Sequence, residues 1–544
     1  MPVSTNNQKN IAINPILPGF NPDPSICRVG DDYYIATSTF EWYPGVQIHH
    51  SKDLVNWRLV ARPLNRPDLL DMTGCPDSCG VWAPCLTWDN GKFYLIYTDV
   101  KRFDGNFKDT HNYLTTCETI DGEWSERVYL NSSGFDPSLF HDDDGKKYIL
   151  NMVWDHRADR TFFGGILLQE YCTKQKKLIG PIHNVFPGSE LGFTEGPHLY
   201  KLDGYYYLLT AEGGTGYNHA MTMARSKNIL GPYELGPQKH FITAKDSPSS
   251  TLQRAGHGDI VQAKNGDWYA VHLCSRPLSL VDEALRRSPM GRETALEKIT
   301  RNNDGWFESV TGSPAPQAQV AIDGLPEYTW PKDKIRHYFN TDALPQCFQW
   351  LRTPYTENLF SLSENKQALR LFGRESIGSL YASSLVARRQ EHISFQATTA
   401  MEYKPDNFQK MAGLVCYYNS HKFHYLFISH DSEVGVYIGV MSCNGDQSLN
   451  VCFPLDKNKI AIASSKVYLR AIVVRNSLEF YYSTDEKIWK RVGEKLDYSV
   501  LSDEAGKGEG ANFTGTFVGM CCQDLTGQAT YADFEYFEYV NNKI

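Results

Sequence analysis

The sequence predicts an all-β protein, a five-bladed β-propeller followed by a β-sandwich of jelly-roll type. Two observations carry that prediction. A two-part signature, a small turn with Pro or Gly ahead of an apolar strand and then Asp/Asn-Gly with aromatics, recurs five times before residue 310. Beyond residue 334 the pattern becomes plain apolar/polar alternation, and helical spacing is thin throughout.

The five copies run in order. Asp23-Pro24-Ser25 precedes Gly30-Asp31-Asp32-Tyr33-Tyr34, Ala83-Pro84 precedes Asn90-Gly91, and Asp136-Pro137-Ser138 precedes Asp144-Gly145. Glu195-Gly196-Pro197 with Asp203-Gly204 and Gly258-Asp259 with Asn265-Gly266 complete the set. The prolines at 24, 84, 137 and 197 recur at steps of 60, 53 and 60 residues, about one four-stranded sheet each. Asp/Asn-Gly tolerates positive φ and so closes the first hairpin of each unit. Ser51 to Trp57, Asp121 to Trp124 and Ser226 to Tyr233 mark second hairpins. Residues 1–310 are therefore read as the propeller. The stretch 311–334, rich in Pro, Ala, Gln and Gly, reads as a linker, and 335–544 as the sandwich, with strands such as Ser394 to Met401, Lys466 to Val474, Phe517 to Cys521 and Phe534 to Tyr539.

Composition narrows the partners. The 544 residues carry a formal net charge of −9 and 70 aromatics (11 Trp, 32 Tyr, 27 Phe), a poor match to nucleic acid or an anionic membrane surface. Flat rings beside polar groups suit sugar faces. Met1 to Asn14 holds no apolar signal core, and no apolar run is long enough to span a bilayer. The 13 Cys are scattered and mostly sit in apolar runs, which reads as reduced thiols and a cytoplasmic protein. Cys75, Cys79 and Cys85 lack the spaced His partners of a zinc site.

In a propeller the innermost strands line one funnel, so equivalent positions converge. The same slot in successive copies reads Asp23, Trp82 with Ala83, Asp136, Glu195, and His257 with Asp259. One Asp-Pro-Ser is an ordinary turn initiator. Three carboxylates in one apolar funnel repel one another and spread their pKa values, the condition for one to serve as acid while another stays ionised.

The segments 14–26 (Asn-Pro-Ile-Leu-Pro-Gly-Phe-Asn-Pro-Asp-Pro-Ser-Ile), 81–84 (Val-Trp-Ala-Pro), 134–140 (Gly-Phe-Asp-Pro-Ser-Leu-Phe), 194–198 (Thr-Glu-Gly-Pro-His), 291–294 (Gly-Arg-Glu-Thr) and 513–519 resemble glycoside hydrolase family 43, in its two-domain β-xylosidase branch. The resemblance implies an exo-acting enzyme that releases xylose from β-1,4-xylo-oligosaccharides with inversion. It casts Asp23 as general base, Glu195 as general acid and Asp136 as the carboxylate that raises and orients the acid. Inversion would set the Asp23 and Glu195 carboxyls roughly 6.5 to 9.5 Å apart. Arg292, Phe40, Trp82, Trp154 and Thr215 would bind the sugar, and Phe513 on a sandwich loop would cap the funnel. No cofactor is required, though His257 could contact a water-bound divalent cation such as calcium, and a homo-oligomer is expected. Two rivals stay open: α-L-arabinofuranosidase activity in the same site, and a non-catalytic carbohydrate-binding propeller.

Overall fold

The computed structural model describes residues 10–445, 455, 457–506 and 512–542. Five antiparallel four-stranded sheets follow one another along the chain. Their innermost strands are Ser25–Val29, Gly80–Asp89, Ser138–His141, Glu195–Leu202 and Gln253–Gln262. Among the described residues the only helical pieces are 3-10 turns, Glu283–Leu285 and Tyr498–Val500. The Asp/Asn-Gly hairpins form as their residues dictate. Asn90 (φ 47°) and Gly91 (φ 80°) make a two-residue turn with both φ positive, the geometry that matches strand twist.

The ring closes through the N-terminal segment. Asn10–Ile13 pairs antiparallel with Gln319–Ile322, so the stretch read as a linker contributes a strand. Asn14 then staples the fifth blade: its side chain donates to Leu296 O (2.7 Å) and accepts from Leu296 N (2.8 Å). Ile26, Tyr33 and Ile35 of the first blade pack with Tyr269, Val271 and Leu296 of the last.

The second domain is a sandwich of two antiparallel sheets. Ser394–Glu402, Lys466–Val474 and Tyr531–Asn541 lie in one sheet, Phe517–Asp524 in the other. Phe395, Val467, Leu469, Val518, Phe534 and Phe537 fill the space between them. One sheet reaches across the domain boundary. Its edge strand is Trp42–Tyr43, from the first blade's own connection, paired with Phe348–Leu351. Trp42 stacks on Phe517 with ring centroids 3.6 Å apart.

Candidate active site

The five blades meet in a local backbone irregularity. Asp23, Ala83, Asp136, Gly196 and His257 all take left-handed φ values, 53°, 35°, 54°, 54° and 39°. Where inner strand pairs with its neighbour, the ladder slips at the same place: between Trp82 and Cys85, Glu195 and His198, and Gly256 and Gly258. A bulge re-aims side chains and breaks strict alternation, so successive residues can both face the funnel. Left-handed backbone in non-glycine residues costs about 1–3 kcal/mol each and persists where the surroundings hold it.

This register corrects one expectation. The fourth copy of the slot is Gly196, followed by Pro197 as Asp23, Ala83 and Asp136 are followed by proline. Glu195 stands one residue earlier, in the row of Trp82 and Phe135, so the three carboxylates are not in one register. Gly196 itself is required. A Cβ there would lie 2.8 Å from His257 Nε2.

A cavity of about 830 Å³ opens over the slot. Asp23, Asp136, Glu195, Arg292, Phe40, Trp82, Trp154, Thr215, Phe513 and His257 line it, whereas Asp259, read from the sequence as part of the same slot, does not and instead accepts from Ile26 N and the Tyr200 hydroxyl. Asp23 is buried with both oxygens engaged, Oδ1 by Arg292 Nη1 (2.9 Å) and Oδ2 by Ser38 Oγ (2.6 Å). Arg292 is 4% exposed, and its other terminal nitrogen donates to Phe513 O at 2.9 Å. Gly291 permits that approach, since a Cβ there would sit 2.3 Å from Thr514 O.

Asp136, Glu195 and His257 form a tighter group, with one ligating atom of each within 4.8 Å of the others. Burial pushes the Glu195 carboxyl up to about 8, and the charge of Asp23 adds to it while Arg292 and Lys108 pull back. Burial also raises Asp136, helped by the Glu195 and Asp23 charges. Gly196 N donates to Asp136 Oδ2 at 3.2 Å, which favours the ionised form of Asp136, whereas among the described residues no donor reaches the Glu195 carboxyl. Burial lowers His257 to about 4, so its ring is neutral near pH 7. Its Nδ1 stands 3.9 Å from Asp23 Oδ1 and from Asp136 Oδ2, too far for a hydrogen bond.

A water-bound cation contacting His257 would draw only part of its shell from this donor set. Calcium takes six to eight oxygens, and the group here offers two carboxylates and a ring nitrogen. No step below passes through a metal.

The cavity walls are aromatic. Phe40 and Trp82 pack 5.7 Å apart, Trp82 and Phe513 5.8 Å, and Lys108 Nζ lies 4.1 Å over Trp154. The Thr215 hydroxyl is buried without a partner. Sequence reasoning missed Phe103, Lys108, Phe135, Phe163 and Phe193, and the sandwich turn Asn419 to Lys422, all of which line the cavity. Phe135 had a readable signal, since it precedes Asp136 as Trp82 precedes Ala83. Phe103, Lys108 and Phe193 sit in loops, Phe163 begins the third strand of the third blade, and Asn419 to Lys422 join two sandwich strands.

Residues 12–307 match the family model described as Glycosyl hydrolases family 43, and residues 336–540 the one described as Beta xylosidase C-terminal Concanavalin A-like domain. The chain is 51% identical over 528 residues to the xylosidase/arabinosidase 43B of Humicola insolens, covering 97% of each chain. It is 50% identical over 536 residues to a β-xylosidase of Bacillus subtilis (strain 168), covering 97% of this chain and 99% of that one. A crystal structure of xylan β-1,4-xylosidase from Bacillus halodurans C-125 superposes with a TM-score of 0.94 at 47% identity, covering 97% and 100%.

Proposed function

We propose, from the premise that this chain belongs to glycosyl hydrolase family 43, that it is an exo-acting β-xylosidase releasing D-xylose from the non-reducing end of β-1,4-xylo-oligosaccharides by single displacement with inversion. The observation that carries the reading is the unequal placement of the three carboxyls: Glu195, raised by burial to about 8, stands in a tight group with Asp136, while Asp23 lies outside that group and is paired with Arg292.

Each carboxyl then has a separate task. Glu195 gives its proton to the glycosidic oxygen as the bond to the anomeric carbon breaks. Asp23 takes a proton from a water that attacks the opposite face, and the oxocarbenium-like transition state collapses to the inverted sugar. Asp136 keeps the acid protonated between turnovers. Arg292 fixes Asp23 and offers its guanidinium to a sugar hydroxyl. These side chains carry the chemistry without a cofactor, and the cation considered beside His257 has no part in it. Because Phe513 and the Asn419 to Lys422 turn cover the funnel, only a chain end enters.

A second activity on α-L-arabinofuranosides is favoured by the relative named for both sugars. A non-catalytic binding propeller would have no use for a buried carboxyl held protonated at neutral pH. Eleven of the described cysteines, all but Cys443, are free thiols, which supports a reducing compartment and a cytoplasmic enzyme. Homo-oligomer formation is proposed on the family resemblance alone, and light scattering tests it. The function is tested by incubating the enzyme with xylobiose and with aryl α-L-arabinofuranoside. Xylose release that dominates supports the reading, and arabinose release without turnover of xylobiose overturns it.

A further inference from the structure

One residue outside the catalytic set joins the two domains at the sugar pocket. Ser78, fully buried, sits in the loop before the second blade's inner strand Gly80–Asp89 and uses three of its polar atoms. Its Oγ accepts the backbone N–H of Phe513 at 3.1 Å. Its carbonyl accepts the indole N–H of Trp82 at 2.9 Å. Its own N–H donates to Glu41 Oε2 at 3.2 Å. The two aromatic walls, one from each domain, are thereby tied to a single residue.

The neighbouring residue is clamped by the sandwich. Asp77 Oδ1 accepts Arg352 Nη2 at 2.7 Å, and Asp77 Oδ2 accepts Ser420 Oγ at 2.5 Å. Arg352 Nε also donates to Cys75 O at 2.7 Å. Arg352, 1% exposed, pairs with Asp77 in the interior, where hydrogen-bonded ion pairs fix geometry more than they add stability.

We propose that Ser78 is a positioning residue for the glycosidase reaction: it sets Phe513 against Trp82 and so makes the sandwich part of the terminal-sugar pocket, with Asp77 and Arg352 holding the loop that carries it. This rests on the reading of the pocket as a xylosyl site. Ser78 has a φ of 63°, left-handed, so Ser78→Gly keeps the backbone and its contacts to Trp82 and Glu41 while removing only the hydroxyl that receives Phe513 N–H.

The test measures xylobiose KM and kcat and the inhibition constant of free xylose for the full chain, for Ser78→Gly, for Phe513→Ala and for the double variant. The expected result is a roughly tenfold higher KM and weaker xylose inhibition in Ser78→Gly with kcat within about twofold, the size of one lost hydrogen bond. In the Phe513→Ala background the same change should move KM little, because the ring it positions is gone. An unmoved KM and inhibition constant in Ser78→Gly overturns the proposal. Equal effects in both backgrounds also overturn it, since they mean a general structural role. Should Ser78→Gly fold poorly by melting temperature, Asp77→Asn serves instead: a raised KM suppressed by Phe513→Ala supports the joint, and wild-type constants remove it. Failure of the unaltered enzyme to cleave xylobiose would strike the functional reading itself rather than Ser78.

Discussion

The propeller and the sandwich both reach the pocket, but they contribute unlike things. From the propeller come the ionisable groups argued to do the chemistry: Asp23, Asp136 and Glu195, on or next to inner-strand starts where the backbone turns left-handed, and Arg292, just before the fifth blade's third strand. From the sandwich come Phe513 and the turn Asn419 to Lys422, which line the space from the other domain. The difference teaches that charge placement here follows from repetition. Five equivalent left-handed positions aim residues at one axis, whereas closure follows from a single docking event between domains, made by Trp42–Tyr43, Arg292 with Phe513 O, and Arg352 with Asp77.

Substitutions can separate the two contributions, and the largest effect belongs to the propeller. Glu195→Gln should lower kcat on xylobiose by about 10³-fold, within the 10²–10⁴ typical of general acid catalysis, and much less on an aryl xyloside whose leaving group needs no proton. Asp23→Asn should lose a similar factor on both substrates, because water must be activated whatever leaves. Equal losses for the two variants on the activated substrate would dissolve the distinction between acid and base.

Asp136→Asn should move the pH profile. Activity of the unaltered enzyme should fall as pH rises through the Glu195 value of about 8. If Asp136 is the ionised partner proposed above, removing its charge should lower the Glu195 value, and the alkaline limb of kcat/KM should then shift to lower pH. A limb that stays in place would show that Asp136 does not hold the proton on Glu195.

Phe513→Ala tests the sandwich side. It should raise KM for xylobiose roughly tenfold, from a lost aromatic face, with the alkaline limb unchanged. A shifted limb would mean that closure and charge are not separate contributions.

The smallest effect is on stability. Folding raises Glu195 from its ordinary 4.5 to about 8, so its contribution to stability is complete below about pH 4.5 and is lost as pH rises through about 8. Glutamine has no charge to bury. Glu195→Gln should melt with the unaltered enzyme at pH 4 and a few degrees above it at pH 8.5, reflecting at most a few kcal/mol at about 1.4 kcal/mol per pKa unit.

The same contrast sets what could be read from the residues alone. The repeat exposed the blades and placed Asp23 and Asp136 together, because Asp-Pro-Ser is a local motif with a local backbone consequence. It misplaced Glu195 by one position, since a bulge shifts register without altering residue type. Phe135 was within reach by the same logic as Trp82. Lys108 and the Asn419 to Lys422 turn were not, because a loop's destination depends on docking surfaces far away in sequence. Gln319–Ile322 likewise became a strand only because Asn10–Ile13 lies beside it. The burial that lifts Glu195 and lowers His257 is likewise a property of the closed pocket.

The account depends most on Asp23 and Glu195 acting from opposite faces of the sugar. Proton NMR of freshly mixed enzyme and xylobiose, recorded before mutarotation, reads that directly. The account predicts that α-xylose appears first. Early β-xylose would mean retention through a covalent intermediate and would contradict the roles assigned to both residues.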